Sequence, residues 1–131
     1  ADTTGYANPR TVTEIIGALW DAVGKEALTG IHLHNTRGLG IANALAAYEK
    51  GLTTFDSSLG GLGGCPFAPG ASGNIVTEDL IFMFEAMGVR TGVNLDKLFA
   101  VRDLVRDALG NEPLYGFAPE AGLPKNFIQA R

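Results

Sequence analysis

Two histidines one residue apart are the side chains in this sequence that most clearly suggest chemistry. His32 and His34 alternate with the apolar residues Ile31 and Leu33, which is the pattern of a β-strand. Both imidazoles therefore point to one face, with Cβ atoms about 6 to 7 Å apart, a spacing that suits two ligands of one metal ion. The alternative is a pair of satisfied histidines that line a core or bind backbone carbonyls.

Three further side chains could complete such a site. Asn74 precedes a predicted helix, and its amide oxygen could be a third ligand, although capping or turning the chain is the commoner use of asparagine. Two imidazoles and an oxygen donor suit Mg²⁺, Mn²⁺ or Zn²⁺. A catalytic divalent ion usually also has a carboxylate ligand, and Asp2 and Asp56 are the candidates because each lies at a predicted strand end.

A glycine-rich stretch at residues 59–74, LGGLGGCPFAPGASGN, contains the only cysteine, Cys65. Its glycine and proline density predicts a long loop, and long loops inside compact domains are usually functional or disordered. Cys65 is either a small buried apolar residue or a reactive thiol, and the loop favours the thiol. A phosphate-binding loop is not supported, because both GxGxxG and Gly-Lys-Ser/Thr are absent.

The elements that must position these residues alternate along the chain. Asn8 and Pro9 predict a helix start. The pattern predicts helices at 9–23, 39–50, 78–87 (capped by Thr77) and from 94 onward, and strands at 31–34 and 52–57. Strands and helices in this order predict an α/β fold of parallel βαβ units, with polar residues at the carboxyl ends of the strands. Two strands and a strand end are too few to close a barrel.

Composition limits the class of protein. The 131 residues form one domain or part of a larger one, and 46% hydrophobic with 18% charged residues is typical of a globular protein. A net charge of -4 argues against nonspecific nucleic-acid binding and against anionic membrane surfaces, and no apolar run is long enough to span a membrane. One cysteine cannot form an internal disulfide, which favours a reducing cytosol or organelle matrix.

Three segments resemble one enzyme family. The chain is similar to the 3-hydroxy-3-methylglutaryl-CoA lyases over roughly its first hundred residues, in the family's order. The similar segments are the opening ADTTGYANP, the segment IHLHNTRGLGIANALAAYEKG, and the loop GLGGCPFAPGASGN followed by TEDL. The resemblance implies that residues 1–131 are the C-terminal part of a (β/α)₈ TIM barrel, from the end of strand six onward, with an irregular tail at 110–131.

The resemblance also implies roles for individual residues. It makes His32, His34 and Asn74 ligands of Mg²⁺ or Mn²⁺, Cys65 the catalytic thiol and Asp2 the active-site aspartate. It implies retro-Claisen cleavage of an acyl-CoA thioester to acetyl-CoA and acetoacetate, in leucine degradation and ketone body metabolism. It further implies a homo-oligomer as the full-length protein, no nucleic-acid or membrane partner, and a bacterial cytoplasm or, as the alternative, the mitochondrial matrix.

The chain departs from the family in lacking the first strand, with its metal-binding aspartate and adjacent arginine, and an early glutamate. Without that aspartate the metal loses its anionic ligand, and without that arginine the enolate oxygen loses a stabilising charge. We therefore expect the 131 residues alone to be inactive as a lyase. Two alternatives stay open: a sister lyase acting on a related thioester such as citramalyl-CoA, and a non-catalytic half barrel that pairs with another half.

Overall fold

A computed structural model describes residues 1–64 and 73–130 of the chain. It contains two compact units, one formed by Ala1–Ser57 with Gly63–Ile75 and the other by Ser58–Leu62 with Val76–Arg131. None of the helices within the described ranges is long and apolar enough to cross a bilayer.

The first unit contains the predicted βαβ arrangement. Its elements in chain order are helix α1 (Pro9–Val23), a 3₁₀ turn (Lys25–Ala27), strand β1 (Gly30–His32), helix α2 (Gly40–Lys50) and strand β2 (Thr54–Asp56). The two strands are parallel, with Gly30 opposite Thr54 and His32 opposite Asp56. The predicted α/β class with parallel strands is therefore confirmed for this unit.

Helix α1 begins and ends where its sequence predicts. The Asn8 side chain accepts a hydrogen bond from the backbone N–H of Thr11, and Pro9 occupies the first helical position. At the other end Gly24 adopts a φ of 86° and donates its N–H to the carbonyl of Trp20. Because only glycine takes this conformation without steric strain, the helix stops there.

The core of the first unit lies between the two helices and the strands. Two partly buried side chains of the strands, Ile31 and Phe55, pack against it. The buried apolar side chains of this core are Val12, Ile16, Ala47 and Leu52. Burying a side chain of valine, leucine or isoleucine size contributes roughly 1.5 to 3 kcal/mol. This packing holds β1 and β2 in place, so it also sets the position of the residues at their carboxyl ends.

The regular strand in the structure ends earlier than the strand predicted at residues 31–34. Strand β1 ends at His32, and the next two residues change partners. Leu33 forms a parallel bridge with Asp2, and His34 forms an antiparallel bridge with Asn74. The segment therefore stays extended beyond β1, held by chain segments that sequence periodicity cannot identify.

The second unit is helical. It contains a 3₁₀ turn (Leu59–Gly61), α3 (Thr77–Ala86), α4 (Leu95–Leu109) and α5 (Phe117–Ala121). Asn94 caps α4 by accepting a hydrogen bond from the N–H of Lys97. The expectation that Thr77 caps α3 is wrong: Thr77 is the first helical residue, and Val76 holds the cap position without a side-chain hydrogen bond.

The tail after α4 is not entirely irregular, as the sequence had led us to expect. Helix α5 lies within it, and its first two N–H groups, of Phe117 and Ala118, both donate to the carboxylate of Asp79. The cap is thus supplied by a side chain 38 residues earlier in the chain, which local sequence patterns cannot reveal.

A buried ion pair organises the interior of the second unit. Glu78 has no solvent exposure and receives the N–H of Gly60 on both carboxylate oxygens, while Arg102 donates to one of them at 3.1 Å. Arg102 also donates to the carbonyls of Leu114 and Tyr115. The pair is therefore surrounded by hydrogen bonds, which is the condition under which buried charges are tolerated.

Neutralising Glu78 should destabilise the chain strongly. We expect Glu78→Gln to lower the free energy of unfolding by about 3 kcal/mol, because it leaves the buried Arg102 guanidinium with only the exposed carboxylate of Glu120, 3.9 Å away, as counter-charge. Urea unfolding followed by circular dichroism measures this loss. The control is Glu14→Gln, which breaks an exposed ion pair with Arg10 and should cost about 0 to 1 kcal/mol. Equal losses for the two variants would contradict the interpretation.

Glu85 fastens the end of the described chain. Its carboxylate accepts hydrogen bonds from the backbone N–H and hydroxyl of Thr91 and from the N–H of Ala130. The Thr91 hydroxyl is the main reason that the pKa of Glu85 lies below its ordinary value of 4.5; burial acts in the opposite direction, and the backbone N–H groups and Gln129 add to the lowering.

The lowered pKa of Glu85 predicts an acid-sensitive contribution to stability. A carboxyl group whose pKa is lower in the folded state stabilises it fully above the unfolded value, here 4.5, and that contribution is lost as pH falls below it. We expect Glu85→Gln to unfold with a shallower pH dependence below pH 4.5 than the parent chain. Urea midpoints measured across this range test the prediction, with exposed Glu112→Gln as control. A Glu85→Gln profile parallel to the parent's would refute it.

Candidate metal centre

Backbone pairing around residues 33 and 34 brings three distant chain segments together. The N–H of Asp2 donates to the carbonyl of His32 at 2.9 Å, on one side of the segment. Residues 73–75 run antiparallel to residues 33–35, with Ile75 N–H donating to Leu33 and Asn35 N–H donating to Gly73, both at 3.2 Å. Side chains from all three segments consequently project at the carboxyl end of β1.

The two histidine rings face each other through the same type of nitrogen. Nε2 of His34 lies 3.2 Å from Nε2 of His32, and the ring centroids are 5.1 Å apart at an interplanar angle of 66°. His34 is buried at 6% exposure, whereas the side chain of His32 is 37% exposed. Nδ1 of His34 is buried and has no hydrogen-bond partner in the part of the chain that the structure describes.

Asn74 lies beside His34, as the sequence analysis required of a third ligand. The antiparallel bridge makes the two residues direct neighbours, and Asn74 is half-buried. Its surroundings leave little room: a Cβ added to Gly63 would come within 2.9 Å of the Asn74 amide nitrogen. The structure therefore brings together His32, His34 and Asn74, while their role as ligands stays a prediction.

The two candidate carboxylates contact groups other than the facing nitrogens. Both oxygens of Asp2 accept backbone N–H groups, from Tyr6 at 3.0 Å and Ala7 at 3.1 Å. Asp56 Oδ2 lies 3.4 Å from Nδ1 of His32, the nitrogen that faces away from His34. Asp56 was expected as a possible ligand, but its position is behind one histidine, and the in-register pairing of β1 with β2 is the reason.

Cys65, the expected catalytic thiol, lies outside the described residues. Among residues 1–64 and 73–130, no group of three or more His, Cys, Asp or Glu side chains could hold a metal ion.

The donor set nevertheless fits a small divalent cation. Two imidazole nitrogens bound at about 2.0 to 2.1 Å to one ion lie about 3 to 3.4 Å apart, and the distance between His32 and His34 falls within this range. The same distance permits an N–H···N hydrogen bond between neutral rings.

Comparison with known proteins identifies the family. Residues 1–105 match the sequence model of the HMGL-like family, so the chain belongs to this family of TIM-barrel proteins and corresponds to a portion of such a barrel. Enzymes of the family are generally dependent on a divalent metal.

Curated relatives include lyases for two thioesters. The chain is 47% identical to (R)-citramalyl-CoA lyase of Chloroflexus aurantiacus over 122 residues, 93% of this chain and 38% of the relative. It is 43% identical to hydroxymethylglutaryl-CoA lyase YngG of Bacillus subtilis over 109 residues, 83% of this chain and 36% of the relative. The chain thus spans less than two fifths of the length of these relatives.

Solved structures of HMG-CoA lyases are similar to this chain over most of its length. The structure of an HMG-CoA lyase from Acinetobacter baumannii, in complex with coenzyme A and 3-methylmalate, matches 98% of this chain with a TM-score of 0.85 and 46% identity; the match covers 42% of that chain. The Bacillus subtilis HMG-CoA lyase matches 92% of this chain with a TM-score of 0.81 and 42% identity, covering 40% of that chain.

A substitution at Gly63 should disturb the candidate site through Asn74. We expect Gly63→Ala to weaken Mn²⁺ binding about 10-fold, because the new methyl group would lie 2.9 Å from the Asn74 amide nitrogen and displace the amide. Isothermal titration with Mn²⁺ measures the affinity. Gly24→Ala is the matched control, since Gly24 also has a positive φ but an added Cβ meets nothing within 4 Å. Equal affinities for both variants would show that Asn74 does not contribute.

Proposed function

We propose that the chain is the C-terminal part of a metal-dependent carbon–carbon lyase, beginning at the end of barrel strand six. The proposed reaction is cleavage of 3-hydroxy-3-methylglutaryl-CoA to acetyl-CoA and acetoacetate. The observation that carries this proposal is the pair of facing Nε2 atoms of His32 and His34, with Asn74 bridged to His34. The relatives named hydroxymethylglutaryl-CoA lyase support the substrate.

The proposed metal is Mg²⁺ or Mn²⁺, held by His32, His34 and Asn74 together with ligands outside the residues described here. Such an ion would act as a Lewis acid toward the hydroxyl and carbonyl oxygens of the substrate. The protein's part is to hold the two histidines of one strand end and Asn74 of the adjacent segment together, at the edge where barrel enzymes place their reacting groups.

The proposed chemistry is a retro-Claisen cleavage. A base takes the proton of the 3-hydroxyl group, the bond between C2 and C3 breaks, and C3 becomes the ketone carbon of acetoacetate. The electron pair of the broken bond passes to the thioester as an enolate, which takes up a proton and becomes acetyl-CoA. We propose the Cys65 thiol as the donor of that proton. Asp2 is proposed as an active-site carboxylate, oriented by the N–H groups of Tyr6 and Ala7.

Removing one histidine tests the metal site in the 131-residue chain itself. We expect His34→Ala to abolish measurable Mn²⁺ binding, because it removes one of two nitrogen donors, and Asn74→Ala to weaken it. Asn111→Ala, at an exposed position just after α4, is the matched control and should bind Mn²⁺ as the parent does. Unchanged affinity in His34→Ala would overturn the ligand assignment.

A test of the substrate requires a full-length protein that carries this sequence. Its kcat/KM for 3-hydroxy-3-methylglutaryl-CoA should exceed that for citramalyl-CoA; the reverse order would favour the sister lyase, whose Chloroflexus representative is 47% identical. In the same protein, Cys65→Ala should lower kcat about 100-fold or more while Mn²⁺ affinity persists. An unchanged kcat would remove Cys65 from the mechanism.

A proposed assembly role rests on a different observation. An apolar groove of about 310 Å³ lies between α1 and β1, and residues on α1 such as Ile15 and Val23 are more than half exposed. This face suits the remaining part of a barrel, supplied by the same or another chain. Size-exclusion chromatography of the 131-residue chain tests it, and a stable monomer would count against pairing.

The surroundings of the whole protein are also proposals. The substrate partner is an acyl-CoA thioester, and the assembly is a homo-oligomer. The proposed compartment is the bacterial cytoplasm or, as the alternative, the mitochondrial matrix; a Homo sapiens relative is named as mitochondrial.

A further inference from the structure

Asp56 and His32 are neighbours because of strand register. Each is the last residue of its strand, and the parallel ladder pairs them directly. Paired residues of adjacent strands project to the same side of the sheet, about 4.8 Å apart along the hydrogen-bonding direction. The register therefore makes the two residues neighbours, and Asp56 Oδ2 lies 3.4 Å from His32 Nδ1, with the Asp56 side chain 67% exposed.

The two ring nitrogens of His32 face different groups. Nδ1 faces the Asp56 carboxylate, and Nε2 faces Nε2 of His34 at 3.2 Å. A neutral imidazole carries a hydrogen on one nitrogen and a lone pair on the other, and an ionised carboxylate can only accept. A hydrogen on Nδ1 of His32 would point to the carboxylate side of the ring and would leave the lone pair of Nε2 directed toward His34.

We propose that Asp56 is a positioning residue for His32: it selects the Nδ1–H tautomer and holds the ring so that Nε2 is the donor atom of the site. This inference rests on the proposed metal centre and deepens it. It replaces the expectation that Asp56 is itself a ligand, since the carboxylate approaches the nitrogen on the far side of the ring.

The contrast with His34 explains why only one ring needs this support. His34 is buried, and its backbone is held on one side by the bridge to Asn74, so packing restricts its ring. His32 is 37% exposed and has more freedom to rotate. A carboxylate behind a metal-ligating histidine fixes ring orientation and raises the basicity of the ligating nitrogen, and losing it typically weakens metal affinity 10- to 100-fold.

The first test needs no metal. Nitrogen-15 spectra of the histidine rings, recorded at about pH 8 where imidazoles are ordinarily neutral, report which nitrogen carries the hydrogen. The parent chain should show His32 as the Nδ1–H tautomer, and Asp56→Ala should shift it toward Nε2–H. Asp56→Asn should retain the parent tautomer, because its amide oxygen still accepts. A His32 tautomer that is the same in the parent and Asp56→Ala would overturn the proposal.

The second test uses Mn²⁺ alone. Asp56→Ala should weaken binding about 10-fold or more, Asp56→Asn should fall between it and the parent, and exposed Asp21→Ala on α1 should bind as the parent does. Circular dichroism and urea midpoints should be alike for all four proteins, since an exposed pair contributes little to stability. Mn²⁺ affinity for Asp56→Ala equal to that of Asp21→Ala would overturn the proposal.

The two tests separate this inference from the proposed function. If His34→Ala abolishes Mn²⁺ binding but Asp56→Ala changes neither the affinity nor the tautomer, the metal centre stands and the role of Asp56 is wrong. If the parent chain binds no Mn²⁺ but the tautomer shifts in Asp56→Ala, Asp56 positions His32, and the three donors do not hold the ion without the ligands proposed from the rest of the barrel.

Discussion

The candidate site depends on backbone hydrogen bonds that hold residues 32–35 between two other segments. Asp2 pairs on one side through the carbonyl of His32, and residues 73–75 pair through Leu33 and Asn35. A single backbone hydrogen bond contributes only about 1 kcal/mol net. Together, however, they decide which side chains meet, because each bridge places one residue directly opposite another. The antiparallel bridge is what places Asn74 beside His34.

Side-chain carboxylates perform a related task in the helical unit. Glu78, Asp79 and Glu85 all lie on α3, and each accepts backbone N–H groups from segments far away in the chain. A carboxylate that accepts several N–H groups satisfies donors that no helix or sheet would otherwise reach. Helix α3 thereby organises Gly60, the start of α5 and the end of the described chain through three neighbouring acidic residues.

Family membership and local geometry constrain the function to different degrees. The match over residues 1–105 and the solved neighbours establish a portion of a TIM barrel of the HMGL-like family. The facing histidines are consistent with a metal site on such a barrel. Relatives named for two different thioesters are 47% and 43% identical to this chain, so the comparison favours neither substrate.

The sequence by itself determined helices α1 to α4, the parallel α/β class and the candidates His32, His34 and Asn74, since these follow from local periodicity, turn and cap residues and spacing; helix α5 was not expected. Tertiary structure alone decided that Asn74 lies opposite His34, that Asp56 lies behind His32, and that Asp79 caps α5. It also showed that residues 33 and 34 leave the β1–β2 ladder. Each of these contacts joins residues more than 20 positions apart in the chain. Local sequence preferences carry no information about which distant residue becomes the partner.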